Sequence, residues 1–167
     1  MPETPEGLLA RLSAAGIAAE TRHHRPVFTV AEGRDIAATL PGGHTKNLFL
    51  RPAKGDGPFL LATLEADRQI SVNALARQAG IPRVSMASAE DLVATLGVPP
   101  GSVTPFGLVN AAPGAVRFVI DRHLVEACDR IWVHPLTNAA STALAPADLL
   151  RFLDGIGHPG TVLDLGG

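Results

Sequence analysis

The sequence predicts an α+β fold: a single domain over residues 1–167, with a mixed, mostly antiparallel β-sheet and helices packed around it. Three observations carry that expectation. Short apolar runs, such as Asn47-Leu-Phe-Leu-Arg51 and Phe59-Leu-Leu-Ala-Thr-Leu64, are bounded by Gly, Pro and Asp. Helix start and stop signals recur between such runs. The two kinds of segment then interleave irregularly, without the strict βαβ rhythm of a parallel sheet.

Taken in order, Thr4 before Pro5 reads as an N-cap with proline at the first helical position, and Gly16 as the stop. Thr29-Val-Ala-Glu32 has the pattern of a capping box opening a second helix that ends before Pro41. Asn47–Arg51 and Phe59–Leu64 flank Pro-Ala-Lys-Gly-Asp-Gly, whose composition suits a hairpin connection. Ser71 opens a third helix closed by Gly80, and Ser88-Ala-Glu-Asp91 opens a fourth closed by Gly97. Residues 84–87, 107–110, 116–120 and 130–134 are further strand candidates. Arg122–Ala127 reads as a short helix and Pro146–Leu153 as a firmer one.

Composition narrows the function classes. Hydrophobic residues make up 46% of the 167, which argues against disorder. No apolar run approaches the roughly 18–20 residues of a membrane span, and the acidic Met1-Pro-Glu-Thr-Pro-Glu6 lacks the features of a signal peptide. With Cys128 as the single cysteine there is no internal disulfide, so a cytoplasmic protein is expected. The net charge of −2 excludes a broad nucleic-acid-binding surface but permits a local site for one or a few phosphates. Arg22-His-His-Arg25, the densest basic stretch, reads as a solvated edge.

Three stretches carry candidate chemistry. In Gly42-Gly-His-Thr-Lys-Asn-Leu-Phe-Leu50, Lys46 precedes an apolar strand; it is one of two lysines against twelve arginines. An ammonium is a compact point charge suited to one phosphate or hydroxyl oxygen. Val98-Pro-Pro-Gly-Ser-Val-Thr-Pro-Phe-Gly107 is a shaped loop, stiffened by Pro100 and Pro105, in which Gly101 lets the backbone turn or a ligand approach. In Trp132-Val-His-Pro-Leu-Thr-Asn138, His134 ends an apolar strand, where an imidazole can bind substrate or move a proton near neutral pH. The histidines lack ligand spacing, so no metal site or cofactor is expected.

In order and spacing, Gly42-Gly-His-Thr-Lys-Asn-Leu-Phe-Leu50, Gly97-Val-Pro-Pro-Gly-Ser-Val-Thr-Pro-Phe-Gly-Leu-Val-Asn110 and His134-Pro-Leu-Thr-Asn-Ala-Ala-Ser141 resemble the YbaK/INS family of aminoacyl-tRNA editing domains, in particular its freestanding alanyl-tRNA(Pro) deacylases. The resemblance implies metal-free hydrolysis of the ester between alanine and the terminal ribose of tRNA(Pro). It implies that Lys46 holds the terminal nucleotide, Gly101 positions the aminoacyl group and attacking water, and His134 borders the pocket. Ser102, Thr104, Pro105 and Asn138 are the implied substrate contacts. The acceptor end of tRNA(Pro) is the implied partner, with prolyl-tRNA synthetase a second candidate. Ala139 and Ala140 depart from the threonine-containing turn expected there. The alternatives are a deacylase for cysteinyl-tRNA(Pro) or another small aminoacyl-tRNA, and a non-catalytic tRNA- or synthetase-binding module.

Overall fold

The computed structural model describes residues 1–166. Among these residues, eight strands form one mixed sheet. They are β1 (Glu20–His23), β2 (Gly43–Pro52), β3 (Phe59–Glu65), β4 (Val84–Met86), β5 (Val116–Asp121), β6 (Ile131–Val133), β7 (Ala140–Leu144) and β8 (Gly160–Leu163). Their order is β1-β7-β6-β2-β3-β5-β8, with β4 on β2. Four of the seven pairings are antiparallel: β1–β7, β2–β3, β2–β4 and β6–β7. The β2–β6, β3–β5 and β5–β8 pairs are parallel.

Among the described residues, six α-helices accompany the sheet: α1 (Pro5–Ala14), α2 (Arg34–Ala37), α3 (Val72–Ala79), α4 (Ala89–Leu96), α5 (Arg122–Glu126) and α6 (Pro146–Gly155). The capping signals act as expected at α1, α3 and α4. Thr4, Ser71 and Ser88 each accept a backbone N–H from the first turn, and Ser88 and Asp91 complete a reciprocal capping box. Gly80 and Gly97 close α3 and α4 at φ +68° and +69°, values that cost glycine little.

The unbroken apolar run of β3 follows from burial on both faces. Leu61 packs with Phe49, Phe118 and Ile120 in a cluster completed by α1, α4 and α6. Leu60, Ala62 and Leu64 pack instead with Leu75, Ala76 and Ala79 of α3. Each buried leucine contributes on the order of 1.5–3 kcal/mol relative to exposure, so this strand and its neighbours dominate the core.

Several expectations need correction. Strand β2 begins at Gly43, not Asn47, so Lys46 lies within the strand and pairs with Leu64. Gly43 and His44 gain their strand character from β6, a partner nearly ninety residues away that local propensity does not reveal. Residues 107–110 are not a strand: Pro105–Asn110 is a 3-10 helix, with Thr104 capping Phe106 N–H at 3.2 Å. Glu32 N–H does meet Thr29 Oγ1 at 3.1 Å, but the Glu32 carboxylate caps Phe28 N–H, and helix α2 waits until Arg34. Strands β1, β7 and β8 form where the sequence signals no strand.

One feature of the pairing creates room for a site. On one side of β2, strand β3 pairs from Thr45 to Leu50. On the other side, β6 pairs only Gly43 and His44, and β4 only Leu50 to Pro52. Residues 45–49 therefore have no strand neighbour on that side.

Candidate active site

A cleft of about 1030 Å³ opens over this part of β2, lined by His44, Thr45, Lys46 and Asn47. Gly101 and Val103 of the Pro-Gly loop, Val133 and His134 at the end of β6, and residues 27–30 also line it. Lys46, Gly101 and His134, separated by 55 and 33 positions in the chain, thus come to one cavity.

Lys46 is half-buried, and its ammonium donates to the carbonyl of Arg68. Arg34 and Arg130, the arginines lining the same cleft, are paired with Asp67 and Glu20 respectively. Lys46 forms no ion pair among the described residues, so its charge faces a neutral acceptor and is available to an anion. Beside it, Asn47 Oδ1 accepts the Thr63 hydroxyl at 2.5 Å, which orients the carboxamide.

Gly101 has φ +90° in a turn closed by Ser102 N–H donating to the Pro99 carbonyl at 3.2 Å. Proline before and glycine after the turn's centre match a type II geometry. A Cβ at Gly101 would lie 2.7 Å from Phe28 Cδ1 and 3.4 Å from Asn138 Nδ2. Only a bare backbone fits beneath the Phe28 ring, which is itself 64% exposed at the cleft mouth. The Gly101 N–H has no hydrogen-bond partner among the described residues, so it is free to donate to a ligand.

Side chain–backbone bonds hold the loops in place. The buried Thr104 hydroxyl donates to the His134 carbonyl at 2.6 Å, tying the Gly101 loop to the end of β6. Asn138 Nδ2 donates to the Val27 carbonyl at 2.9 Å, and its own carbonyl accepts Val27 N–H at 3.2 Å. Leu136, at φ +64°, is the one non-glycine residue with positive φ among the described residues, and it bends the chain between His134 and Asn138. Ser102, Thr104, Pro105 and Asn138 themselves do not line the cleft. Thr104 and Asn138 fasten its loops; Ser102 and Pro105 are buried behind them.

His134 Nδ1 lies 3.0 Å from the Ala140 carbonyl, which makes Nδ1 the donor and leaves Nε2 with a lone pair in the neutral ring. Burial pushes the imidazole below its ordinary value, against the opposing effect of the Ala140 carbonyl, and neighbouring His24 pushes the same way as burial. The ring is therefore neutral at pH 7 and its Nε2 can accept a proton or a hydrogen bond. His24 completes the edge, with Nε2 2.9 Å from Ser141 Oγ.

Among cleft residues that sequence reasoning missed, Phe28 and Thr45 carry no motif signal, and Thr45 is committed to the Trp132 carbonyl at 2.7 Å. Cys128, the single cysteine, follows α5, is half-buried and lines the cleft. Burial and nearby Glu65, Asp129 and Asp121 raise its thiol, so it is a poor nucleophile. Asp121 is committed to Arg68 at 2.9 Å and cannot serve a Ser–His–Asp arrangement. No group of three His, Cys, Asp or Glu side chains suited to a metal occurs among the described residues.

Known proteins share this architecture. Residues 24–152 match the family model described as aminoacyl-tRNA editing domain. The chain is 37% identical over 165 residues to prolyl-tRNA synthetase associated domain-containing protein 1 of Bos taurus, covering 97% of this chain and 95% of that one. It is 30% identical over 164 residues to prolyl-tRNA editing protein ProX of Acetoanaerobium sticklandii, covering 98% of each. A crystal structure described as a candidate trans-editing enzyme for prolyl tRNA synthetase superposes with a TM-score of 0.70 over 96% of each chain, at 19% identity, a likeness of fold.

Proposed function

This chain belongs to the aminoacyl-tRNA editing domain family, and from that premise we propose that it hydrolyses mischarged alanyl-tRNA(Pro) in trans. The observation that carries the reading is the convergence of an ammonium without a carboxylate partner, an unpartnered glycine N–H and a neutral imidazole on one cleft. Its relation to the editing protein ProX supports the choice of a prolyl-tRNA substrate.

In the proposed reaction, Lys46 holds a phosphate or ribose oxygen of the terminal nucleotide and brings the ester against the Gly101 loop. Water attacks the ester carbonyl carbon, and the Gly101 N–H stabilises the negative oxygen that forms. His134 Nε2 accepts a hydrogen bond from that water and holds it in line. Collapse breaks the bond between the carbonyl carbon and the ribose oxygen, and the proton given up by the attacking water passes to that oxygen and restores the ribose hydroxyl. An aminoacyl-tRNA ester is already activated, so orientation and a few fixed dipoles supply much of the acceleration. A single-stranded acceptor end needs few phosphate contacts, which suits a chain of net charge −2.

Editing by size is physically necessary for such a substrate, since a pocket built for proline rejects a smaller side chain by only roughly 1–3 kcal/mol per missing methylene. A deacylation panel of Ala-, Pro-, Cys- and Ser-tRNA(Pro), with Ala-tRNA(Ala) as the tRNA control, tests the reading. Ala-tRNA(Pro) is expected to be cleaved fastest and Pro-tRNA(Pro) spared. Faster release of cysteine would assign the chain to cysteinyl-tRNA(Pro). Binding of tRNA without cleavage of any ester would make it a recognition module.

A further inference from the structure

Behind the cleft lies a charged pair that the proposed reaction does not use. Asp121, at the end of β5, is fully buried and accepts four hydrogen bonds. Two come from Arg68, Nε at 2.9 Å and Nη2 at 3.2 Å. The others come from the backbone N–H groups of Glu65 at 3.1 Å and His123 at 3.2 Å. Neither Asp121 nor Arg68 lines the cleft.

The carboxylate therefore grips both ends of the turn that follows β3, through the Glu65 amide and the Arg68 guanidinium. The turn is closed by Arg68 N–H donating to the Glu65 carbonyl at 2.9 Å, and tied to β2 by Ala66 N–H donating to the His44 carbonyl at 2.9 Å. The Arg68 carbonyl, presented by this clamped turn, is the acceptor on which the Lys46 ammonium rests. We propose that the Arg68–Asp121 ion pair is a positioning pair for Lys46, setting where its ammonium rests in the cleft and how it is delivered to substrate.

A surface pair would be a weak mount, but this one has a fully buried member with each carboxylate oxygen engaged by Arg68 and by a backbone amide. Burial pushes the Asp121 carboxyl up, but the bonds from Arg68, Glu65 and His123 outweigh it and hold the carboxyl below its ordinary value. The pair's contribution is thus present above the usual carboxylate range and is lost only as the pH falls through the lowered value, well below neutrality.

The role in turnover rests on the deacylase reading; the role in holding the ammonium does not, and the two are tested separately. With two lysines in the chain, protein labelled with 15N at lysine has two side-chain Nζ signals, from Lys46 and from Lys54. In Arg68→Ala, the Lys46 signal should move and its protons should exchange with water about tenfold faster or more, while Lys54 stays unchanged; kcat/KM on Ala-tRNA(Pro) should fall about tenfold, and not fall further on a Lys46→Ala background. Arg68→Lys, whose own Nζ adds a third signal, should partly restore both the Lys46 signal and kcat/KM. Because Arg68→Ala leaves a buried carboxylate unpaired, the combined Arg68→Met, Asp121→Asn protein repeats the measurement without that charge. An unmoved Lys46 signal in a folded variant, or losses that simply add to that of Lys46→Ala, would overturn the positioning role. A wild-type protein inactive on every aminoacyl-tRNA would remove the deacylase reading, with the Nζ signals still deciding whether the pair holds Lys46.

Discussion

Lys46 stands on a strand whose residues pair one by one with β3, whereas Gly101 and His134 stand on loops held by a few side chain–backbone bonds. The strand side of the cleft owes its shape to the core: Phe49 and Leu50, just beyond Lys46, are 2% and 0% exposed. The loop side owes its shape to Thr104, Asn138 and the positive φ values of Gly101 and Leu136. A side chain on the strand can be removed without disturbing its mount. On the loops, the bonds that hold the backbone also place the functional groups, so substitutions there should cost stability as well as rate.

The sharpest test of that contrast is Lys46→Ala. It should lower kcat/KM by about 10²–10³-fold, the scale of one lost transition-state contact, while stability changes by less than about 0.5 kcal/mol. Lys46→Arg should also be impaired, since a planar fork does not replace a point charge, and Lys54→Ala should match wild type. Deacylation kinetics and a melting curve check all three. Equal activity of the two alanine variants would remove Lys46 from the site.

Gly101→Ala comes next, at about 10²-fold in kcat/KM. Here stability should fall as well, by about 1–3 kcal/mol, because alanine must adopt φ +90° and its methyl must displace Phe28. Near-normal turnover at a reduced melting temperature would show that the loop is only a turn.

A smaller loss, about tenfold in kcat, is expected for His134→Ala, through lost positioning of water more than lost proton transfer. Since burial lowers the native imidazole below the usual value of about 6.5, the unfolded chain binds the proton first on acidification. The neutral ring thus adds stability that is complete above about pH 6.5 and declines as the pH falls from there toward the lowered native value. Melting temperature against pH for wild type and His134→Ala should show that difference. A rate limb below pH 6.5 that vanishes in the variant would instead assign proton transfer to the ring.

Thr104→Val should have the least effect on rate, a few-fold, yet cost about 1–3 kcal/mol by leaving the His134 carbonyl without its buried donor. Thermal denaturation alongside kinetics separates the two. A large rate loss without a stability loss would place the Thr104 hydroxyl in the chemistry and blur the distinction between the two sides.

Where a signal was local, it could be read along the chain. Thr4-Pro5, Ser71 with Gly80, and the Ser88–Asp91 box depend on residues within one helical span, and each sets its helix end as expected. The β2–β3 hairpin is also local, and Gly55 at φ +79° turns it. Short strands with distant partners were not readable. Glu20-Thr-Arg-His23 is polar and forms a strand because β7, about 120 residues later, offers it a free edge. Residues 107–110 failed in the other sense: a short apolar run suits a strand or a buried turn, and burial of Phe106 and Leu108 beneath the helices selects the turn.

For the site, the sequence by itself determined which groups are present: a lysine in an arginine-rich chain, a glycine between prolines, and a histidine before a proline. Side-chain chemistry and backbone freedom are properties of single residues, so position in the chain is enough to find them. Only the tertiary structure decided what those groups are free to do. Long-range pairing left β2 open opposite β3, committed Arg34 and Arg130 to carboxylates, turned His134 Nδ1 to Ala140, and placed a clamped carbonyl under Lys46. Charge availability, tautomer and burial depend on neighbours that the chain brings together from far apart, and no local pattern encodes them.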